Sequence, residues 1–260
     1  MSVLERIVEA RRRRVEEARE RIPLEFLWAR CGGRRRDVWA RLEGWPPGRR
    51  AVIAEIKRRS PSRGELRPGL DPAALARAYE GAGALAVSVL TEPDFFGGSL
   101  HDLRAVRQAV ELPVLRKDFV VDPYQVWEAA AWGADLVLLI VAVLGERTAE
   151  FVELARHAGL EPLVEVHGGA ELDTALASGA RLVGINNRDL LTFRVDLGVS
   201  RELLARMPAG VTVVSESGLR TPEELDGLER SGARAFLIGE ALVTAPDPAG
   251  ALARLVERGP

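Results

Sequence analysis

Two lysines stand out because they are the only lysines in a chain whose other strongly basic side chains are all arginine. Lys57 and Lys117 each end an apolar run, over residues 51–57 and 113–117. A lysine can release a proton when its surroundings lower its pKa, whereas an arginine guanidinium stays protonated in proteins. A surface ion pair would accept either residue, so the restriction of lysine to these two positions indicates sites of proton transfer.

Carboxylates accompany the two lysines. Glu55 lies two residues before Lys57, and because a strand has a period of two, both side chains should point to one face, about 6–7 Å apart. Glu165 lies between Val164 and Val166, in an apolar setting that raises the pKa of a carboxyl group. A lysine of lowered pKa facing a carboxyl of raised pKa is a usual arrangement for acid–base catalysis near neutral pH. A purely structural ion pair is the alternative.

Eight apolar runs, separated by helical patterns, are the elements that must hold these side chains. The runs are 51–57, 84–90, 113–117, 135–141, 161–166, 181–186, 210–216 and 234–239. The clearest helical patterns are 72–82, 122–132, 145–158, 168–178 and 221–230. Continuous apolar strands that alternate with helices indicate a parallel sheet buried on both faces, and eight such units predict an α/β fold, a closed (β/α)8 TIM barrel. An open doubly wound sheet is the alternative, although no Gly-x-Gly-x-x-Gly motif follows any run.

Short motifs mark the ends of the predicted helices. A Gly-Ala pair precedes four of the runs, and glycine there predicts a left-handed residue that ends a helix. These glycines are Gly83, Gly133, Gly179 and Gly232. Asp71-Pro72 and Asp122-Pro123 predict helix starts, as does a capping box from Thr221 to Glu224.

Residues 1–47 form an extension before the first apolar run. Residues 2–21 place their apolar side chains on one broad helical face, and a proline ends that pattern. The segment 24–48 predicts one further short helix and a Pro-Pro-Gly linker. We therefore expect an N-terminal helical extension over residues 1–47 and a catalytic barrel domain over residues 48–260, with the extension covering the catalytic end of the barrel.

Polar residues gather after the carboxyl ends of the predicted strands, where barrel enzymes place their chemistry. Asn186 ends the sixth run and Glu216 ends the seventh, whereas the opposite ends carry alanine, glycine and proline. Gly218 and Gly239 follow the last two strands, where glycine lets backbone N–H groups approach an anion. Arg188 offers a charged fork beside them. These features together predict a phosphorylated substrate.

Composition and charge narrow the class of protein. A net charge of -2 argues against nucleic-acid binding by the whole chain, and a single cysteine excludes an intrachain disulfide. Three scattered histidines, expected in surface or structural roles, and widely spaced carboxylates predict neither a metal nor a cofactor. No apolar run approaches the length of a membrane span, and the N-terminus has no signal-peptide pattern. We therefore expect a soluble cytoplasmic monomer or weak homodimer that acts on a small molecule and contacts no membrane.

Seven motifs along the chain closely resemble those of the indole-3-glycerol-phosphate synthase family. The most specific is IAEIKRRSPS at the first run, in which Glu-x-Lys is followed by Ser-Pro-Ser. The others are VLTEPDFFGGS (89–99), LRKDFVVDPYQ (115–125), VEVH (164–167), GINNRDL (184–190), SESGL (215–219) and LIGEALV (237–243). The resemblance extends from the N-terminal extension to the final helix.

The resemblance implies a reaction of tryptophan biosynthesis. This reaction closes the ring of 1-(2-carboxyphenylamino)-1-deoxyribulose 5-phosphate and releases carbon dioxide and water. It implies that Lys117 is the general acid at the ribulose carbonyl, and that Glu165 is the acid–base partner in later proton transfers. Lys57 would assist at the phosphate and the reacting oxygens, while Glu55 and Asn186 hold Lys57 and the intermediate.

The resemblance also implies a set of substrate-binding residues. Glu216 and Ser217 would bind hydroxyl groups, and Gly218, Gly239 and Arg188 would bind the phosphate. An apolar slot for the aryl ring and one residue of the Ser-Pro-Ser motif complete the set. These residues are Phe96, Phe119, Leu138, Leu190 and Ser60.

Glu240 departs from part of the family, because it follows Gly239 where some members carry serine. Its carboxylate is therefore expected to point away from the phosphate.

Three other interpretations of the function stay open. Phosphoribosylanthranilate isomerase is a related phosphate-binding barrel, but it would lack the long extension and the paired lysines. A Schiff-base aldolase would also use a lysine at a strand end. A catalytically silent barrel would bind phosphorylated ligands without releasing carbon dioxide.

Overall fold

Eight parallel strands close into a barrel, as the alternation of apolar runs and helical patterns predicts. The computed structural model describes residues 1–258. Its strands are β1 (Ala51–Ile56), β2 (Arg59–Ser60), β3 (Gly64–Glu65), β4 (Ala86–Leu90), β5 (Val114–Lys117), β6 (Leu136–Ile140), β7 (Glu161–Val166), β8 (Leu182–Asn186), β9 (Thr212–Glu216) and β10 (Ala235–Ile238). The short strands β2 and β3 pair with each other, and the barrel order is β1-β10-β9-β8-β7-β6-β5-β4, with β1 also paired to β4. The predicted barrel is confirmed, and the open-sheet alternative is wrong.

Helices connect the strands and form the outer layer. They are α1 (Val3–Arg21), α2 (Leu24–Trp28), α3 (Val38–Glu43), α4 (Pro72–Gly81), α5 (Pro93–Phe96), α6 (Leu100–Ala109), α7 (Pro123–Ala131), α8 (Val141–Leu144), α9 (Thr148–His157), α10 (Gly169–Ala177), α11 (Gly198–Leu204), α12 (Pro222–Arg230), α13 (Glu240–Val243) and α14 (Pro248–Val256). A 3-10 turn over Gly145–Arg147 precedes α9. Each of the five predicted helical stretches contains one of these helices. No helix within residues 1–258 combines the length and the apolar character that crossing a membrane requires.

The predicted helix ends are confirmed. The Asp71 carboxylate accepts hydrogen bonds from the first N–H groups of α4, and Thr221 and Glu224 form the expected capping box at α12. The four glycines of the Gly-Ala pairs all have positive φ, between 74° and 112°. Glycine adopts this left-handed conformation without the steric cost that a Cβ would impose, so the chain turns sharply from each helix into the next strand.

Alternation along the strands divides the buried side chains into two layers. In β1, Val52 and Ala54 pack outward against the helices, whereas Ile53 packs inside the barrel. Leu115 and Leu163 belong to the same interior layer. Because both faces of each strand are buried, the strands read as continuous apolar runs. The alternation continues to the carboxyl ends of the strands, where polar side chains point into the barrel.

The extension covers the catalytic end of the barrel, as expected, and it also covers the opposite end. Its segment 24–48 contains two short helices, α2 and α3, where one was predicted. Val38 and Leu42 of α3 join the interior layer at the amino ends of the strands, and Arg234, just before β10, donates a hydrogen bond to the Leu42 carbonyl. The two open ends of the apolar interior both need a cover, which is why the extension is divided between them.

The remaining helices of the extension lie elsewhere on the barrel. The α1 helix reaches the carboxyl ends of the strands, and α2 packs against α7, where the rings of Trp28 and Trp127 meet edge to face with centroids 5.9 Å apart. The division of the chain at residue 47 into an extension and a barrel domain stays a prediction. The last two residues of that predicted domain, Gly259 and Pro260, lie outside the described residues.

Candidate active site

A cavity of about 360 Å³ opens at the carboxyl ends of the barrel strands. All fifteen residues that the sequence predicts for the site line it, although they come from all eight barrel strands or the segments that follow them. They are Glu55, Lys57, Ser60, Phe96, Lys117, Phe119, Leu138, Glu165, Asn186, Arg188, Leu190, Glu216, Ser217, Gly218 and Gly239. Their shared location is a structural finding, while the role of each stays a prediction.

Lys117 lies between two buried carboxylates. Its Nζ atom is 3.3 Å from Glu165 Oε2 and 3.5 Å from Glu216 Oε2. Burial disfavours the ammonium form, but the attraction of Glu165, Glu216 and Glu55 outweighs it, so the pKa of Lys117 is raised. The expected lowering of this pKa is therefore wrong, because the sequence does not reveal how many carboxylates converge on one ammonium group.

The expected raised pKa of Glu165 is also wrong. Val164 and Val166 point to the opposite face of β7 and pack against the outer helices, so they do not form the surroundings of the carboxylate. Burial raises its pKa, but Lys117, His167 and the Asn186 amide more than compensate, and the pKa of Glu165 is lowered. Glu165 is therefore ionised at neutral pH.

Between Glu165 and Glu216, the two carboxyl groups beside Lys117, Glu216 is the one whose pKa is raised. Burial raises it to about 8 against the pull of Lys117, and the negative charges of Glu165 and Glu55 add to the shift. Neither oxygen of Glu216 has a hydrogen-bond partner within the part of the chain that the structure describes. The site thus pairs an ionised Glu165 with a mostly protonated Glu216 on two sides of one ammonium group.

Two glycines make room for the carboxylates of the site. Lys57 Nζ lies 2.7 Å from Glu55 Oε1, and a Cβ atom at Gly239 would overlap with that Glu55 carboxylate. A Cβ atom at Gly184 would overlap with Glu216 in the same way. The space beside Gly239 is therefore filled by the Glu55 carboxylate, and the binding of an anion by the backbone N–H of this glycine stays a prediction.

Arginines surround the end of the cavity near β9 and β10. Glu240 Oε1 lies 3.2 Å from Arg220 and 3.3 Å from Arg63, and its Oε2 atom lies 3.6 Å from Arg188. Glu240 lines the cavity, and the orientation of its carboxylate relative to the phosphate stays a prediction. Three guanidinium groups balance its charge and leave this end of the cavity positive.

The loop after β9 is shaped by left-handed residues. Ser217 has a φ of 67° and Gly218 a φ of 79°. A side chain at Gly218 would overlap with Val195, so only glycine fits this turn. Two consecutive left-handed residues turn the backbone sharply at the mouth of the cavity, beside the arginines.

Apolar side chains form the opposite wall of the cavity. The rings of Phe96 and Phe119 lie 5.9 Å apart, tilted by 31°, and Leu138 and Leu190 continue this surface. Val3, Leu4 and Ile7 of α1 complete it, although the sequence did not predict that these three residues line the site. The signal was the apolar face of α1, but a helical pattern alone does not indicate where the helix docks.

The surroundings of His167 also went unpredicted. Its Nε2 atom lies 3.4 Å from Glu165 Oε1, and its Nδ1 atom lies 3.1 Å from Glu171 Oε2. The signal was its position two residues after Glu165, on the same phase of the strand. Among residues 1–258, no group of three or more His, Cys, Asp and Glu residues is arranged to hold a metal ion.

The mouth of the barrel holds an ammonium group between an ionised and a protonated carboxyl group, and the cavity has a cationic end and an apolar wall. These features define an enzyme that performs acid–base chemistry on an anionic, partly apolar substrate. The comparisons with known proteins specify this class further. A family model described as indole-3-glycerol phosphate synthase matches residues 4–255. The chain therefore belongs to the indole-3-glycerol phosphate synthase family.

Named relatives agree with the family model over nearly the whole chain. An indole-3-glycerol phosphate synthase of Syntrophobacter fumaroxidans is 51% identical over 257 residues, which cover 97% of this chain and 96% of the relative. Indole-3-glycerol phosphate synthase 1 of Streptomyces coelicolor is 47% identical and covers 100% of this chain and 96% of its own length. These matches do not favour the isomerase or the silent barrel.

Solved structures with little sequence identity share the fold alone. The chain superposes on a thiamine phosphate pyrophosphorylase from Pyrococcus furiosus with a TM-score of 0.59 and 18% identity, over 79% of this chain and 93% of the other. An N-acetylmannosamine-6-phosphate 2-epimerase from Clostridium perfringens gives a TM-score of 0.57 and 17% identity, over 74% and 86% of the two chains.

Proposed function

We propose that this chain closes the indole ring of 1-(2-carboxyphenylamino)-1-deoxyribulose 5-phosphate and releases carbon dioxide and water. It is a carboxy-lyase of tryptophan biosynthesis, as its family membership supports. The single structural observation that carries the mechanism is the position of Lys117 between Glu165 and Glu216, 3.3 and 3.5 Å from their carboxylates. That arrangement supplies both an acid and a base within one cavity.

Lys117 acts first, as the general acid. As the aromatic carbon attacks the ribulose carbonyl, negative charge develops on the carbonyl oxygen, and the ammonium group donates a proton to it. An alkoxide is a far stronger base than an amine, so the transfer is favourable even from a lysine of raised pKa. Lys57, which Glu55 holds at 2.7 Å, adds positive charge at the reacting oxygens and at the phosphate.

Loss of carbon dioxide follows from the ring closure itself. The carbon that bears the carboxylate becomes tetrahedral, and the electrons of the breaking bond restore the conjugated ring. The wall that Phe96, Phe119 and Leu138 form disfavours the charged carboxylate and favours neutral carbon dioxide. The residues of this chain thus supply the surroundings that the step needs.

Glu165 and Glu216 then act in the dehydration. The ionised Glu165 accepts and returns protons at the ring that has closed, while Asn186 holds its carboxylate. A protonated Glu216 donates a hydrogen bond to a substrate hydroxyl, which an ionised carboxylate cannot do. Ser217 and Ser60 are the further hydroxyl groups of the cavity that would bind the substrate.

The phosphate binds at the cationic end, where the backbone N–H groups of Gly218 and Gly239 and the side chain of Arg188 line the cavity. We expect Arg188→Ala to weaken binding of the phosphorylated substrate by about 1.5–3 kcal/mol, the value of one hydrogen bond to a charged group. The measurement is the Michaelis constant together with competition by inorganic phosphate. Arg206→Ala is the matched control, because Arg206 pairs with Asp173 at the surface. Equal effects of the two variants would place the phosphate elsewhere.

The decisive test is conversion of the carboxyphenylamino-deoxyribulose phosphate. Purified protein should yield a product with indole fluorescence and one carbon dioxide per turnover. Binding without carbon dioxide release would instead support the silent barrel. Covalent trapping of the substrate on Lys117 by borohydride would support Schiff-base chemistry and contradict the proposed role of that residue.

We also propose that the protein works in the cytoplasm as a monomer or weak homodimer, without nucleic-acid or membrane partners. The proposed role of the chain, as a biosynthetic enzyme that acts on small phosphorylated intermediates, supports this proposal. Sedimentation at micromolar concentration should give a mass near one chain, with at most partial dimer formation. A larger stable assembly would contradict this proposal.

A further inference from the structure

His167 lies behind Glu165 and contacts a second carboxylate. The two oxygens of Glu165 face different partners, since Oε2 faces Lys117 and Oε1 faces the Nε2 atom of His167 at 3.4 Å. Glu171, in the first turn of α10, lies 3.1 Å from Nδ1 and accepts a hydrogen bond of 2.9 Å from the backbone N–H of His167. The second contact fixes the carboxylate against the ring, so that the Nδ1 side is held and the Nε2 side faces Glu165.

These three side chains connect the cavity to the surface of the barrel. The side chain of Glu165 is 1% exposed, that of His167 is 13% exposed and that of Glu171 is 28% exposed. His167 does not line the cavity, so it reaches the substrate only through Glu165. Nε2 is buried and has no hydrogen-bond partner within residues 1–258, so it is free to donate to Glu165 when the two side chains approach.

The proposed reaction consumes a proton, and this inference rests on that proposed function. At neutral pH the substrate carries a carboxylate, which leaves as neutral carbon dioxide, while the other product besides the indole compound is neutral water. The charge balance therefore requires one proton from solvent in every turnover. Lys117 and Glu165 only move protons within the site, so a group in contact with solvent must supply this one.

We propose that His167 is a proton donor to Glu165, and that Glu171 is the positioning residue that keeps its ring charged and oriented. In the proposed step the Nε2–H bond of the imidazolium breaks and an O–H bond forms at Glu165 Oε1. The ring is left neutral, with its remaining proton on Nδ1 in a hydrogen bond to Glu171. Solvent restores the second proton between turnovers, since the side chain is partly exposed.

The charges around His167 favour the protonated ring. Burial lowers its pKa, but Glu171 and Glu165 raise it more, and Glu216 on β9 adds to the effect once it ionises. Asp189, in the loop after β8, also faces it with a negative charge. Lys117, the cation across Glu165, opposes these carboxylates. The net direction is a raised pKa, so the ring keeps its extra proton to a higher pH than an unperturbed imidazole does.

The test is the pH dependence of turnover in His167→Gln and Glu171→Gln. We expect His167→Gln to lower kcat at neutral pH about 10- to 100-fold with KM unchanged within threefold, and imidazole in the buffer to restore part of kcat. In Glu171→Gln the ring loses one partner, so its pKa falls and the alkaline limb of kcat moves about one pH unit lower. His101→Gln is the matched control, because that ring packs against Trp132 with centroids 5.1 Å apart and takes no part in the site.

The outcomes separate this inference from the proposed function. A wild-type protein that releases no carbon dioxide would contradict the proposed function itself. If the wild type is active, a His167→Gln variant with the wild-type kcat at every pH would overturn the proposed proton transfer from His167 to Glu165. So would a loss that is the same at every pH and that imidazole does not restore, because a structural role alone predicts it. If His167→Gln does not fold, an unmoved alkaline limb in Glu171→Gln overturns the inference.

Discussion

Lys117 shows how much of a residue's chemistry depends on its neighbours. Its side chain is 15% exposed, its ammonium group lies between Glu165 and Glu216, and these two carboxyl groups differ in charge near neutral pH. Glu165 is stabilised as an anion by three partners, whereas Glu216 is held in a pocket where its oxygens have no hydrogen-bond partner among the described residues. Two chemically identical side chains thereby become a base and a hydrogen-bond donor.

The first prediction concerns Lys117 itself. Lys117→Arg should lower turnover about 10²–10⁴-fold, because arginine keeps the positive charge but does not release a proton. The measurement is kcat, with the thermal midpoint and phosphate binding as controls for an intact fold. Turnover within a factor of a few of the wild type would show that Lys117 provides charge only.

The second prediction uses the pKa of Glu216, about 8 in the folded protein. This value lies above that of a carboxyl in the unfolded chain, so the protonated side chain stabilises the fold at low pH, and this stability is lost as pH rises through 8. Glu216→Gln, which cannot ionise, should therefore gain stability relative to the wild type between pH 6 and pH 9, on the order of 2 kcal/mol. Denaturant unfolding at both pH values measures it. A difference that does not change with pH would contradict a raised pKa.

At the scale of elements, two helices of the extension close the barrel at opposite ends. Ile7 of α1 and Leu42 of α3 are both buried, at 3% and 5% exposure, and both pack into the interior layer. Ile7 also lines the cavity, whereas Leu42 lies at the far end. One helix therefore serves the site as well as the fold, and the other serves the fold.

The third prediction compares these two helices. Ile7→Ala and Leu42→Ala should each lower the free energy of unfolding by about 2–5 kcal/mol, the usual result of removing a buried aliphatic side chain. Only Ile7→Ala should also raise the Michaelis constant, by about tenfold, because it removes part of the wall around the substrate. Steady-state kinetics and denaturant unfolding of both variants provide the comparison. A raised Michaelis constant in Leu42→Ala would contradict the assignment of α3 to the fold alone.

The fourth prediction concerns the turn between β10 and α13. Gly239→Ala should lower both kcat and stability, because its Cβ would displace the Glu55 carboxylate and so release Lys57. Gly227→Ala is the matched control, since Gly227 lies in the open interior of α12 and the substitution should stabilise the protein by about 0.5–1 kcal/mol. Wild-type turnover in Gly239→Ala would mean that Glu55 can move without consequence.

At the scale of the whole molecule, Arg50 joins the first strand to the last helices. It is 1% exposed and precedes β1 directly. Its guanidinium group donates hydrogen bonds to the Leu255 and Glu257 carbonyls at the end of α14, and to Asp226 of α12 at 2.5 Å. Because β1 pairs with β10, this contact lies at the seam where the barrel closes.

The fifth prediction tests that seam. Arg50→Ala should lower the free energy of unfolding by about 2–4 kcal/mol, since it leaves buried carbonyl groups without donors. The thermal midpoint should fall by about 5–10 °C, with the Michaelis constant unchanged. Arg258→Ala removes an exposed pair with Glu229 and should cost less than about 1 kcal/mol. Equal losses in the two variants would mean that Arg50 does not stabilise the closed barrel.

Local patterns were enough to predict the eight barrel strands, their order of appearance and the end of the barrel that carries the chemistry, but not the short strands β2 and β3. Each predicted run contains its strand, and Glu55, Lys117 and Glu165 face the cavity, because the period of two assigns a face to every residue once a strand is recognised. The lysine usage and the motif after the first strand were likewise readable without coordinates. These features depend only on neighbours in sequence.

The protonation states in the site and the covering of the barrel ends depended on contacts between distant segments of the chain. The valines beside Glu165 in sequence point away from it, whereas Lys117, 48 residues earlier, decides its charge. The docking of α3 at the amino ends of the strands and the approach of His167 to Glu165 and Glu171 follow from barrel closure. Electrostatic energy and burial depend on distance in space rather than in sequence, so only the folded chain could decide them.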